Sequence, residues 1–148
     1  FPRIQFIHVV RDPRHGLLSQ VRYRQRQRRR GWSVDGQRFD ELCRTWALHQ
    51  EQLLDALDPG NSIRVDYRQM LRSPRQVFDR VQRFLRLPRD ENALRVFEER
   101  SAGGHATSGS EAASLEAWRD AWSAEQLTTI ERVCGPVARR LDLPVGAA

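Results

Sequence analysis

"FIHVVRDPRHGLLSQ", residues 6–20, decides the fold class. It opens on the apolar Phe6, Ile7, Val9 and Val10, breaks into Arg11, Asp12, Pro13 and Arg14, and then takes up a helix-like pattern that carries Ser19. Ile4 to Val10 has the near-continuous apolar character of a strand covered on both faces, the signature of a parallel sheet. Asp12 suits a helix N-cap and Pro13 the first helical position, where the N–H that proline lacks would be unpaired anyway. This order puts two arginines at the carboxyl end of a strand, where the next helix points its N–H groups and positive dipole end at anything negative. From Arg11 to Ser19 an ideal helix rises about 12 Å and comes round to within about 80° of its starting face. A long arginine side chain can span that gap. Two readings stand side by side: an anion site of Arg11, Arg14 and Ser19, or an ion pair of Arg11 with Asp12 closing a strand.

Working outward, "SIRVDYRQ" (62–69), entered from the turn signal "DPGN" (58–61), is expected to be a second strand. Between the two lie a helix from Pro13 to Arg30, a loop "GWSVDGQ" (31–37) and a helix from Phe39 to Leu57. A strand, a helical connection and a strand make a right-handed crossover with a parallel pair. The expected class is therefore α/β, a small parallel sheet flanked by helices. Downstream, "SPRQVFDRVQRFLRLP" (73–88) reads as a helix with Ser73 as N-cap, Pro74 first in the helix, and Val77, Val81, Phe84 and Leu85 at helical spacing. A short helix is expected from Glu91 to Arg100. "SAGGHATSGSEAAS" (101–114) has the small, polar make-up of a loop or lid. The last helix runs from Ala124 to Leu141 and turns Leu127, Ile130, Val133 and Val137 inward. No internal repeat is visible.

At 148 residues the chain has the size of one domain, able to bury a core without staples. Its 25 basic residues, against 19 acidic ones, are all arginine. The guanidinium matches planar oxyanions in a fork that an ammonium cannot reproduce, which suits phosphate or sulfate partners; a GC-rich genome produces the same bias. Cys43 and Cys134 are far apart in sequence, with no CxxC or CxxxxH spacing. Two buried free thiols are expected, a disulfide or metal site being the alternative. Apolar runs of four or five residues are too short to span a membrane. Because Phe1 falls within what reads as a core strand, the chain is expected to be the C-terminal part of a longer domain.

"VRYRQRQRRRGW" (21–32) holds Arg22, Arg24, Arg26, Arg28, Arg29 and Arg30, with Tyr23 and Trp32 nearby. On a helix this charge wraps much of the circumference, so it must be largely solvated. Favourable placement near the helix C-terminus explains it first, recruitment of an anionic acceptor such as a polysaccharide second, and nucleic acid third.

"FIHVVRDPRHGLLS" resembles the 3′-phosphate-binding segment of sulfotransferases that use 3′-phosphoadenosine 5′-phosphosulfate (PAPS). In that family a strand ends in Arg-(Asp/Asn)-Pro-(Arg/Lys) and a serine follows the first arginine by eight positions, here Arg11 and Ser19. The likeness continues through Trp46, through "VDYRQMLRSPRQVFDRVQRFLRLP" (65–88) and through "LEAWRDAWSAEQLTTIERVCGPVARRLDLP" (115–144). It departs at Arg68, where the family commonly has Glu, and at Leu141, Asp142 and Leu143, where the family ends in Leu-Gly-Tyr. The Pro/Lys/Ser/Gly/Thr-rich loop that wraps the 5′-phosphosulfate in the family has no counterpart here, and side chains do not easily replace such a backbone cradle.

The resemblance implies a P-loop-NTPase-like fold lacking its first strand and phosphosulfate loop. It implies transfer of a sulfuryl group from PAPS to a hydroxyl or amine of a small-molecule or carbohydrate acceptor, without a metal, in a bacterial cytoplasm. Arg11 and Ser19, with Arg14, would hold the 3′-phosphate. His105, Ser108 and Gly109 fall in the loop that closes over the nucleotide in the family. No catalytic base is assignable, His8 reading as a core histidine. A non-catalytic fragment, or a basic module for nucleic acid or acidic polysaccharide, is the alternative function.

Overall fold

The computed structural model of the chain describes residues 4–29, 38–102 and 115–145. In chain order the elements are β1 (Phe6–Val10), α1 (Pro13–Arg29), α2 (Phe39–Ala56), β2 (Ser62–Asp66), α3 (Tyr67–Arg72), α4 (Pro74–Leu85), α5 (Glu91–Ala102) and α6 (Ala124–Arg140). Their contacts divide the chain into two compact units. The first joins Phe1–Arg11 to Ala56–Ser114, the second Asp12–Asp55 to Leu115–Ala148.

In the first unit β1 and β2 pair in parallel, with a register running from Phe6 opposite Ser62 to Val10 opposite Asp66. The α/β class and the parallel pair are thus as the sequence indicates. β1 is not covered on both faces, however. His8 and Val10 are buried, while Phe6, Ile7 and Val9 are 43%, 44% and 49% exposed. Among the described residues the sheet has two strands. Val65, opposite Val9, is 2% exposed, so the cover extends over β2 and stops at β1.

β2 is also shorter than expected, because Tyr67 to Gln69 belong to α3. Asp66 ends the strand: its side chain accepts from the Arg68 backbone N–H at 2.8 Å and caps the helix that follows. α4 begins with Pro74 after Ser73, as expected, but the Ser73 hydroxyl makes no capping bond. α4 ends on Arg86, at φ 56°, whose backbone N–H reaches the carbonyls of Gln82 and Arg83. Val10, Val65, Leu71, Val77 and Leu94 form the core of this unit. Phe78 and Phe97 join α4 to α5 with ring centroids 5.6 Å apart.

In the second unit α1, α2 and α6 bury Leu17, Leu42, Cys43, Trp46, Ile130, Cys134 and Val137. A Cβ at Gly16 would stand 3.5 Å from the Trp46 indole nitrogen, at ordinary contact distance, so the tryptophan packs directly against this turn of α1. α6 starts with a reciprocal cap: the Ser123 hydroxyl accepts from Gln126 N–H at 3.2 Å, and the Gln126 side chain accepts from Ser123 N–H at 2.9 Å. Trp118 and Trp122 are buried just before it. Among the described residues no helix is long and apolar enough to cross a membrane.

Candidate functional site

Both strands end in the same local device. After β1, Asp12 caps α1 by accepting from the Arg14 backbone N–H at 2.9 Å. The same carboxylate takes the Arg14 side chain at both oxygens, Nε at 3.0 Å from Oδ1 and Nη2 at 2.7 Å from Oδ2. After β2, Asp66 caps α3 and takes Arg68 Nη2 at 2.8 Å. Aspartate at the cap with arginine two residues on thus recurs at the carboxyl ends of neighbouring strands. In each case the guanidinium balances the charge of the carboxylate that caps the helix.

The Asp12–Arg14 pair is deeply buried, with side-chain exposures of 1% and 10%. Arg14 also stacks on Trp118, its guanidinium carbon 4.1 Å from the ring centroid, and reaches the Pro144 carbonyl at 3.4 Å. Arg14, expected as a phosphate ligand, therefore has its fork engaged with Asp12. Its position is that of a pillar under the first turn of α1.

Arg11 is differently placed. It follows Val10, and Tyr67 follows Asp66, so the register that pairs Val10 with Asp66 brings these two residues out side by side. The Arg11 guanidinium carbon lies over the Tyr67 ring at 4.3 Å from the centroid. At that distance the cation and the ring are within cation–π range.

Arg11 is the last residue of the first unit; Ser19 belongs to the second, half-buried in the second turn of α1. His8 is buried in β1, as expected. His105, Ser108 and Gly109 lie outside the described residues. A cleft of about 430 Å³ adjoins the first turn of α1, lined by Pro13, Arg14, Leu127, Thr128, Ile130 and Val145 among others. Among the described residues no cluster of His, Cys, Asp or Glu could hold a metal ion.

Cys43 and Cys134 are free and buried, as anticipated, but they are also neighbours. The Cys134 thiol donates to the Cys43 carbonyl at 3.5 Å. A hydrogen bond from Cys134 pulls the Cys43 thiol below its ordinary range, and burial opposes that. At Cys134 the bond and burial act together and push the thiol far above it.

The Arg11–Tyr67 contact is what sequence reasoning missed. The signal was present, since aligning the two strand ends, "VVRD" (9–12) with "VDYR" (65–68), pairs positions 11 and 67. The ion pair considered from the sequence joined Asp12 to Arg11; the partner that the Asp12 carboxylate takes at both oxygens is Arg14.

The family model described as "Sulfotransferase family" matches residues 1–91, which includes both strand ends. The chain belongs to the sulfotransferase family. A solved structure, the sulfotransferase domain from the curacin biosynthetic pathway, matches this sulfotransferase fold with a TM-score of 0.65 at 20% identity. The match covers 99% of this chain and 56% of that one, so the chain spans little more than half the length of its structural relative. No curated protein matches the chain.

Proposed function

We propose that the chain provides the 3′-phosphate-binding part of an enzyme that transfers a sulfuryl group from PAPS to a hydroxyl or amine. The observation that carries this reading is Arg11, standing at the carboxyl end of a parallel strand and immediately before a helix of 17 residues. A helix N-terminus offers unpaired N–H groups and a partial positive charge to an anion. The family resemblance assigns the Arg11 guanidinium and the Ser19 hydroxyl as the side-chain donors to the 3′-phosphate. Asp12, held by Arg14, caps the helix without presenting an uncompensated negative charge to the phosphate.

Bound PAPS supplies the activated sulfuryl group. The protein's contribution is to hold the nucleotide in register and to balance charge, as in phosphoryl transfer, so binding groups matter more than covalent chemistry. That the chain is a portion of a longer domain is supported by the apolar Phe6, Ile7 and Val9 exposed on β1 and by its span of 56% of its structural relative.

The test is a thermal shift with adenosine 3′,5′-bisphosphate and with AMP, which lacks the 3′-phosphate. The bisphosphate raises the melting temperature of the wild-type chain and AMP raises it much less, while Arg11→Ala abolishes the difference. Equal shifts for the two nucleotides, no shift with either, or an unchanged preference in Arg11→Ala would each refute the proposal.

A second reading has one observation in its favour. Arg26 and Tyr23 are exposed on α1, in a segment that also carries Arg22 and Arg24. An acidic polysaccharide or nucleic acid bound there would be released steeply by salt, whereas recognition of a single phosphate would change far less.

A further inference from the structure

We infer that Cys43 and Cys134 form a site of reversible oxidation: a hydroperoxide converts the two thiols to a disulfide that staples together the two separate stretches of the second unit. The inference stands apart from the nucleotide site, and no bound ligand enters its test.

Cys43 lies in α2 and Cys134 in α6, so each stretch of the unit contributes one sulfur. Both residues are 0% exposed. The Cys134 thiol reaches the Cys43 carbonyl at 3.5 Å, across 91 positions of sequence, and the two thiols are hydrogen-bonded to each other. Closing a disulfide from hydrogen-bond contact shortens the sulfur separation by roughly 1.5–2 Å, a displacement that side-chain rotation can provide.

The chemistry divides between the two sulfurs. The hydrogen bond from Cys134 holds the Cys43 thiol below its ordinary range, and the thiolate is the form that attacks a peroxide. The Cys43 sulfur takes one oxygen from the O–O bond and becomes a sulfenic acid, while the other oxygen leaves as water or an alcohol. The Cys134 sulfur then attacks the Cys43 sulfur, and the sulfenic oxygen departs as water. Two thiols and one hydroperoxide thus give one disulfide, with the two electrons passing to the broken O–O bond and the two thiol protons to the products. A dithiol such as dithiothreitol reverses the step by exchange.

A buried thiol meets an oxidant only when the structure around it opens. Pro136, two residues beyond Cys134, has no N–H for the Arg132 carbonyl, so the ladder of α6 lacks a bond in the turn that holds Cys134. Local opening is cheapest where backbone bonds are missing, and a molecule as small as hydrogen peroxide needs little of it. The two stretches of the unit are connected through the whole of residues 56–114. Closing the loop from 43 to 134 restricts the unfolded chain and favours the folded one.

The experiment exposes the folded full chain, freed of reductant, to hydrogen peroxide and follows intact mass, a non-reducing peptide map and thermal melting. The chain has two cysteines and one methionine, so a loss of two hydrogens marks the disulfide, whereas a gain of oxygen marks sulfur oxidation without a link. The expected product is a single chain two hydrogens lighter, with the peptides of Cys43 and Cys134 joined, melting roughly 5–10 °C higher. Dithiothreitol restores the starting mass and melting temperature. Cys43→Ala and Cys134→Ala each abolish the gain; should neither variant fold, the wild-type peptide map decides the assignment. Thiols that stay reduced at peroxide levels sufficient to oxidise Met70 overturn the inference. So do a disulfide between two chains, an oxygen adduct on either cysteine without a link, or a link that leaves the melting temperature unchanged or lowers it.

Discussion

The indole Nε1–H of Trp122 donates to the backbone carbonyl of Arg14 at 2.9 Å, in a buried contact between residues 108 apart in sequence. It fastens the segment before α6 to the first turn of α1, within the second unit. Trp122→Phe removes this bond while keeping an aromatic ring, and costs about 1 kcal/mol. Trp122→Ala also opens a cavity and costs about 3–5 kcal/mol. Urea denaturation of the two variants separates the terms.

The buried pair of Asp12 and Arg14 stabilises chiefly by mutual compensation. Asp12→Ala leaves a guanidinium in a largely dry site without its fork partner and removes the cap of α1, for a loss of about 3–5 kcal/mol. Asp12→Ala combined with Arg14→Met costs less than Asp12→Ala alone, because the charge disappears with its partner. A double-mutant cycle in urea measures the difference; a cost for the pair equal to the sum of the single costs would refute the compensation.

Ser19→Ala removes one hydroxyl from the proposed phosphate site. Affinity for adenosine 3′,5′-bisphosphate falls by about 1 kcal/mol, some fivefold, and more if the bond is made to the fully charged phosphate. AMP binding stays the same. Isothermal titration provides the readout, and an unaltered affinity would place Ser19 outside the site.

The Cys134 thiol carries a pH dependence whose sign follows from its shift. Burial and its hydrogen bond raise its proton affinity in the folded chain, whereas the unfolded chain releases this proton near the ordinary thiol value of 9.0. Above that pH the unfolded state binds fewer protons than the native state, so stability falls as pH rises. Below it the contribution is fully present. Cys134→Ala flattens this part of the profile, seen in urea midpoints collected from pH 7 to pH 10.5.

How much could be seen in advance depended on whether local chemistry or distant cover decided the outcome. The helix starts at Pro13 and Pro74 were legible because proline and a preceding cap residue act within one turn. The end of β2 was not, since "VDYRQ" continues an apolar and aromatic pattern and only the Asp66 cap turns it into a helix. β1 was read as covered on both faces from its composition alone. Composition reports what a strand can bury, while cover depends on which neighbours it has, and Ile7 and Val9 stay about half exposed among the described residues. The replacement of the family's Leu-Gly-Tyr ending by Leu141, Asp142 and Leu143 is now intelligible: residue 142 has φ 56°, a left-handed conformation that glycine adopts freely and aspartate tolerates. In the site, the eight-residue step from Arg11 to Ser19 was visible as a pattern. The tyrosine under Arg11 emerges only once the two strands are set in register.

The division of the chain has a consequence for anyone who would dissect it. Each unit is assembled from two separate stretches, with crossings after Arg11, Asp55 and Ser114. A single proteolytic nick cannot liberate either unit by itself, and a gene fragment encoding one uninterrupted stretch holds the whole of one unit only by carrying part of the other. Isolating one unit for study calls for a designed linker that rejoins its two pieces.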